Sequence, residues 1–110
     1  MISSMLALLA ATAAAQASDT TRTAREAFTA CLRTYVNRSI EAGTTAEAFE
    51  AEYPQQCTAQ ETAFRDAVIR RDTAMRATRA TAEDSARLEI EDARANFSER
   101  FAAAMTPRSQ

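Results

Sequence analysis

The stretch GTTAEAFEAEYPQQCTAQE, residues 43–61, decides the fold because it holds the only glycine, one of the two prolines and one of the two cysteines of a 110-residue chain. Glycine is favoured just past the C-terminus of a helix, where the backbone turns left-handed. Thr44 and Glu47 then match a capping box, which opens a new helix. We therefore predict that a first helix ends near residue 42, that the chain reverses at Gly43, and that a second helix begins near residue 45.

Pro54 ends this second helix, because its ring clashes with the preceding turn and moves Tyr53 away from helical backbone angles. Thr58 and Glu61 match the capping box a second time. The prediction is a short helix over about 45–53, a connection that contains Cys57, and a third helix that begins at residue 58.

The first helix is predicted over residues 20–42, where apolar side chains recur at intervals of three and four residues. They are Ala24, Phe28, Cys31, Leu32, Tyr35, Val36 and Ile40. Such a broad apolar stripe is typical of a helix that packs one face against a core.

The third helix is predicted over residues 58–105, a range without Gly or Pro before Pro107. Its apolar side chains repeat with a period of about 3.6 residues, the period of an α-helix. The stripe thins at Arg71, Thr78 and Arg79, and Thr81 could cap a new helix. We predict one long helix that bends near residues 78–81; a break at the same place is the alternative.

The fold class is thus all-α: a disulfide-pinned helical hairpin followed by a long C-terminal helix, in a single domain over residues 18–110.

The first 17 residues, MISSMLALLAATAAAQA, match a signal peptide. An apolar run at residues 5–11 is followed by Ala15 and Ala17, which form an A-x-A cleavage site and would leave Ser18 as the new N-terminus. The segment lacks the usual basic residues, and an anchoring N-terminal helix is the alternative. Its apolar part is shorter than the roughly 20 residues that a bilayer requires. We expect a periplasmic or secreted protein with no stable membrane insertion after cleavage.

Export predicts that Cys31 and Cys57 form a disulfide, because paired cysteines outside the cytoplasm are normally oxidised. Gly43 lies midway between them, so two antiparallel helices would bring them level. A reactive thiol and an intermolecular bridge are the alternatives.

Catalysis has little support in this composition. The chain has no His, which excludes Ser-His-Asp and Cys-His sites and removes the commonest metal ligand. Its formal net charge of −2 argues against a nucleic-acid partner. We expect no enzymatic activity, no cofactor and no metal.

Charge is segregated along the predicted third helix. Residues 65–79 hold five Arg against two Asp, whereas residues 83–99 hold six acids against two Arg. This pattern fits a solvated surface, or an antiparallel pairing centred near Thr81, between two chains or within one chain folded back. The cluster Arg70, Arg71, Arg76 and Arg79 is a candidate site for a small anion or a lipid headgroup.

The stretch CLRTYV at residues 31–36, Cys57, and the stretch IED at residues 90–92 resemble small exported helical proteins of Gram-negative bacteria that carry two cysteines. The resemblance implies a location and a shape, with no activity attached. The expected function is that of an exported interaction protein, which assembles with itself or binds another protein, with holdase-like behaviour as one form of it. Anion or headgroup binding near Arg70 is the alternative.

Overall fold

The computed structural model describes residues 2–107, with side chains described from residue 15 onward. This part of the chain forms four α-helices, α1 (Ile2–Glu41), α2 (Ala46–Glu52), α3 (Thr58–Ala74) and α4 (Arg79–Met105), and a 3₁₀ turn over Tyr53–Gln55. The described residues contain no strand. The predicted all-α fold is confirmed.

The prediction of one helix over residues 58–105 is wrong, because the chain turns back at residues 75–78. Arg76 takes a left-handed backbone conformation, with φ of 69°. The Arg76 N–H donates to the Thr73 carbonyl and the Ala77 N–H to the Asp72 carbonyl, each at 3.0 Å. These two bonds form a Schellman motif, which ends α3 by satisfying its last carbonyls. The alternative, a break, describes the structure, although it begins at residue 75, three residues before the predicted segment, and the long C-terminal helix is α4.

The new helix α4 begins with a side-chain cap. The Thr78 hydroxyl accepts a hydrogen bond from the Thr81 N–H at 3.2 Å. Thr81, the candidate cap in the sequence, lies inside the helix instead. The reversal is favoured because it brings Ala82, Ala86 and Ile90, which a straight helix would carry away from α1, into the core.

The turn at residue 76 predicts a stabilising substitution. The left-handed conformation costs a non-glycine residue about 1–2 kcal/mol, and glycine's greater freedom in the unfolded chain offsets part of the gain, so Arg76→Gly should raise the free energy of unfolding by about 0.5–1 kcal/mol. Urea unfolding of both proteins measures this. Gly43→Ala is the matched control, with an expected loss of about 1 kcal/mol, because Gly43 has φ of 66° and a Cβ there meets no atom within 4 Å. A destabilised Arg76→Gly protein would contradict the interpretation.

The Gly43 turn follows the sequence prediction, although the caps around it do not. The Thr44 N–H donates to the Ser39 carbonyl at 3.0 Å, which forms a second Schellman motif at the end of α1. Thr45, rather than Thr44, caps α2 by accepting from the Ala48 N–H at 3.1 Å. The second predicted capping box is also wrong, because Cys57 stands at the N-cap of α3 and makes no side-chain cap. Tyr53 keeps helical backbone angles, with φ of −56° and ψ of −44°, contrary to the prediction, because Pro54 lies in the first turn of a 3₁₀ helix, where its missing N–H is not needed.

The three longer helices form a bundle in which α3 runs antiparallel to α1 and α4 runs parallel to α1. The short α2 and the 3₁₀ turn cross one end of the bundle, where the Phe49 ring stacks on Phe101 with centroids 3.9 Å apart. One continuous core joins all four helices. Its larger members are Phe28, Leu32, Val36, Phe49, Tyr53, Phe64, Val68, Ile69, Ile90, Phe97 and Phe101.

Helix α1 begins at Ile2, well before the predicted start near residue 20. The predicted apolar segment at residues 5–11 lies outside the residues whose side chains are described. At the predicted cleavage site Ala15 and Ser18 are exposed and Ala17 is partly buried, all within the helix. In the described range, the first buried side chain is that of Thr21. No helix in that range is both long enough and apolar enough to cross a membrane.

Candidate interaction surface

The disulfide joins α1 to the start of α3. Cys31 and Cys57 are bonded at an S–S distance of 2.06 Å, with their Cα atoms 5.9 Å apart. The sequence prediction placed the second cysteine after a helix that runs back beside α1. In the structure α3 packs along α1, and α2 forms part of the connection that crosses the end of the bundle. The bond therefore fixes the point where this connection enters α3.

Arg94 of α4 holds the same connection by its side chain. Its Nη1 donates to the Tyr53 carbonyl at 3.2 Å, and its Nη2 donates to the Gln56 carbonyl at 2.7 Å. Its Nε donates to the Glu61 carboxylate at 2.6 Å. The guanidinium also lies 5.4 Å from the centre of the Phe28 ring. Only 16% of the Arg94 side chain is exposed, so these bonds are shielded from solvent.

Tyr53 also donates a hydrogen bond to Arg94: its hydroxyl donates to the Arg94 carbonyl at 2.7 Å. Burial raises the pKa of the Tyr53 phenol, and the nearby Arg94 charge opposes this rise. The phenol therefore stays protonated and remains a donor at neutral pH. Each residue thus donates a hydrogen bond to the backbone carbonyl of the other, and these two bonds join α4 to the 3₁₀ turn.

A second polar network joins the three long helices. Glu89 of α4 accepts from Arg25 of α1 at 2.9 Å and from Arg71 of α3 at 3.1 Å. Arg71 also bonds Asp72 at 2.9 Å. Burial alone would lower the pKa of Arg71, but the hydrogen bond to Asp72 and the charge of Glu89 raise it on balance. Arg71 thus stays charged and bound to two carboxylates.

These contacts place the segregated charges within one chain. The basic part of α3 and the acidic part of α4 face each other through Arg71 and Glu89. The same helix pair is joined farther from the turn by Glu61 and Arg94. The chain folds back on itself, as one alternative of the sequence analysis proposed, but among the described residues Arg71–Glu89 is the one ion pair that joins the basic part of α3 to the acidic part of α4. Most of the other charged side chains of the two segments are exposed to solvent, which fits the solvated-surface alternative. The pairing of these segments between two chains stays a prediction.

The candidate anion cluster lies at the end of the bundle where α3 turns into α4. Arg70 and Arg76 are exposed to solvent. Arg79 is bound to Glu83 at 2.9 Å, and Arg71 to Glu89 and Asp72. Two of the four guanidiniums therefore already have carboxylate partners. Among the described residues, no three His, Cys, Asp or Glu side chains come together in a way that could hold a metal ion.

A shallow trough runs along the outer side of α1, and we call it the α1 trough. It is made of two grooves that meet at Ala27. The first groove is lined by Asp19, Thr20, Thr23, Ala24 and Ala27. The second is lined by Ala27, Ala30, Cys31, Thr34, Tyr35 and Arg38 of α1 and by Gln56, Cys57 and Gln60 at the start of α3.

The α1 trough was not identified from the sequence, because the apolar pattern was interpreted as the core-facing side of the helix, and the trough shares only the border residues Ala24, Cys31 and Tyr35 with that pattern. A signal was present: Thr23, Ala27, Ala30 and Thr34 follow each other at intervals of four, three and four residues. This spacing also defines one face of a helix. No family model, curated protein or solved structure matches the chain.

Proposed function

We propose that this chain is a small exported helical protein of the bacterial envelope that acts by binding a protein partner or a second copy of itself, without catalysis. The α1 trough is the observation that carries the proposal. It is open, lined mostly by small side chains, and built beside the disulfide, so its two walls are covalently joined. A preformed surface of this kind binds with a smaller loss of conformational entropy than a mobile one.

Export is supported by the position of the first buried side chain, Thr21, which lies after the predicted cleavage site. The Thr21 hydroxyl donates to the Ala17 carbonyl at 2.8 Å and to the Ala67 carbonyl of α3 at 3.2 Å. Cleavage before Ser18 leaves the second of these bonds within the mature chain. No described side chain before Thr21 belongs to the core. Removal of residues 1–17 is therefore compatible with an intact bundle.

We expect the exported protein to begin at Ser18. The measurement is mass spectrometry of the protein recovered from the periplasm of a bacterial host that expresses the full chain. Ala17→Phe should block the processing, because the peptidase recognises small residues at this site. Thr23→Phe, which lies outside the cleavage motif, is the control and should be processed normally. Recovery of an unprocessed chain from the cytoplasm alone would contradict export.

Binding is tested with the exported protein in its oxidised form. We expect it either to form a defined oligomer in solution or to slow the aggregation of a chemically unfolded client protein, as measured by light scattering. Ala30→Arg places a long charged side chain in the α1 trough and should reduce either behaviour. Ala95→Arg, on the exposed side of α4, is the matched control. A strict monomer that leaves client aggregation unchanged would refute the proposed function.

Binding of a small anion near Arg70 remains the alternative function, and the structure offers it less support. Arg71 and Arg79 would have to exchange a carboxylate for the ligand. Such an exchange gains less than binding to free guanidiniums, because an existing ion pair is lost for each new one. A rise in melting temperature with inorganic phosphate that disappears in Arg70→Gln would favour this alternative.

A further inference from the structure

We propose that the α1 trough binds a second copy of this chain, with the two α1 helices antiparallel about a two-fold axis near residues 28–29. This inference rests on the proposed function and names the partner. It commits to a symmetric dimer, in which the same surface of each chain meets itself.

The order of residues along the trough supports the two-fold arrangement. An axis between residues 28 and 29 places Ala27 opposite Ala30 of the other copy, and Thr23 opposite Thr34. The order of these four residues, Thr-Ala-Ala-Thr, is the same in both directions along the helix. Each pair of residues that face each other across the interface therefore consists of two alanines or two threonines. Small side chains at every layer let the two helix backbones approach closely.

Charge supports the same register. Glu26 and Arg33 are both exposed and lie along one border of the trough. They are seven residues apart on one helix, or roughly 10 Å, which is too far for them to pair with each other. In an antiparallel coiled coil, positions on the same border of the seam face each other across the two-fold axis. Glu26 of each copy therefore faces Arg33 of the other copy.

Neither side chain is engaged within the chain by an opposite charge. Among the described side chains, none of the ion pairs includes Glu26 or Arg33. The Arg33 guanidinium itself lies 5.8 Å from the centre of the Phe97 ring of α4, so pairing with Glu26 of the other copy exchanges this ring contact for an ion pair. Dimerisation provides both residues with partners and forms two equivalent ion pairs.

Charge reversal tests the register directly. The full chain is expressed, recovered after export with its disulfide formed, and measured by sedimentation velocity over a wide range of concentration. Wild type should dimerise, and Glu26→Arg or Arg33→Glu alone should weaken the dimer at least about tenfold, since each creates two like-charge contacts. The combined reversal should restore the affinity to within a few-fold of wild type. Asp92→Arg, an exposed reversal on α4 without an ion pair, should leave it unchanged.

Circular dichroism of each variant shows that the bundle remains folded, so a lost dimer reports on the interface. Single reversals that dimerise like wild type, or a combined reversal that fails to restore the dimer, would overturn the register. A monomer at all concentrations would overturn self-association. If that monomer still protects an unfolded client and Ala30→Arg abolishes the protection, the proposed function stands while this inference fails. If neither behaviour is seen, both fail.

Discussion

Loss of the Cys31–Cys57 bond should lower the free energy of unfolding by about 3.5 kcal/mol, which is the chain-entropy estimate for a crosslink of this span. The two cysteines are 26 residues apart. The closed loop contains the Gly43 turn, α2 and the 3₁₀ turn, and these parts are attached to the bundle by Phe49 and Tyr53, by the hydrogen bonds from Arg94, and by the crosslink. A small domain has only a modest apolar core, so the loss is a large share of its total stability.

Urea unfolding of the oxidised protein, the reduced protein and the Cys31→Ala/Cys57→Ala variant measures this effect. The reduced protein and the double variant should agree, which separates loss of the bond from other effects of the reductant. Cys57 has φ of 61°, so Cys31→Ala/Cys57→Gly should recover about 1 kcal/mol of the loss. A difference below about 1 kcal/mol between oxidised and reduced protein would show that the connection is held by its other contacts.

Much of the fold can be predicted from local features of the sequence, namely the single glycine, the helical period of the apolar residues and the two cysteines. Gly43 is the one residue without a penalty in the left-handed conformation, so its position predicts where α1 ends. Phe64, Val68, Ile90 and Phe97 lie in the core where the helical period places them. The cysteine pairing follows from having two cysteines in a chain that is predicted to be exported.

The α3–α4 turn could not be predicted with the same ease, because its left-handed residue is Arg76 rather than a glycine. Nothing in the local sequence requires an arginine to adopt that conformation. The helix breaks there because two antiparallel segments bury Ala82, Ala86 and Ile90 against α1 and α3, and this gain is not local. The segregated charges indicated an antiparallel pairing and left open whether one chain or two would form it.

Arg94 was missed for a related reason. It follows Ile90 by one helical turn and therefore belongs to the buried side of α4, yet a charged residue is rarely assigned to a core. Its role depends on the Gln56 carbonyl, which lies past the end of the 3₁₀ turn, and on the Tyr53 carbonyl, which also accepts the Gln56 N–H at 3.0 Å. The need for a buried donor could have been inferred only once this connection was known to cross the end of the bundle.

Replacement of Arg94 by Met should lower the free energy of unfolding by about 3 kcal/mol, because it leaves the Gln56 carbonyl without this donor and leaves the shielded Glu61 carboxylate with Arg65 alone, at 3.5 Å. Glu61 is only 18% exposed, so water replaces the guanidinium poorly there. Urea unfolding measures the loss. The matched control is Arg87→Met, also on α4, whose ion pairs with Asp84 and Glu91 are exposed to solvent and should leave the free energy of unfolding nearly unchanged when they are lost.

Two further variants separate the charge of Arg94 from its geometry. Arg94→Lys keeps the charge but cannot reach both carbonyls and the carboxylate with one ammonium group, so it should recover only part of the loss. Arg94→Met combined with Glu61→Met should cost less than the sum of the single changes, because the second removes the carboxylate that the first deprives of its closer partner. Additive losses would mean that Arg94 acts through the two carbonyls alone. A loss near that of Arg87→Met would mean that water reaches this connection, and that the disulfide and the Phe49–Phe101 stack hold it without Arg94.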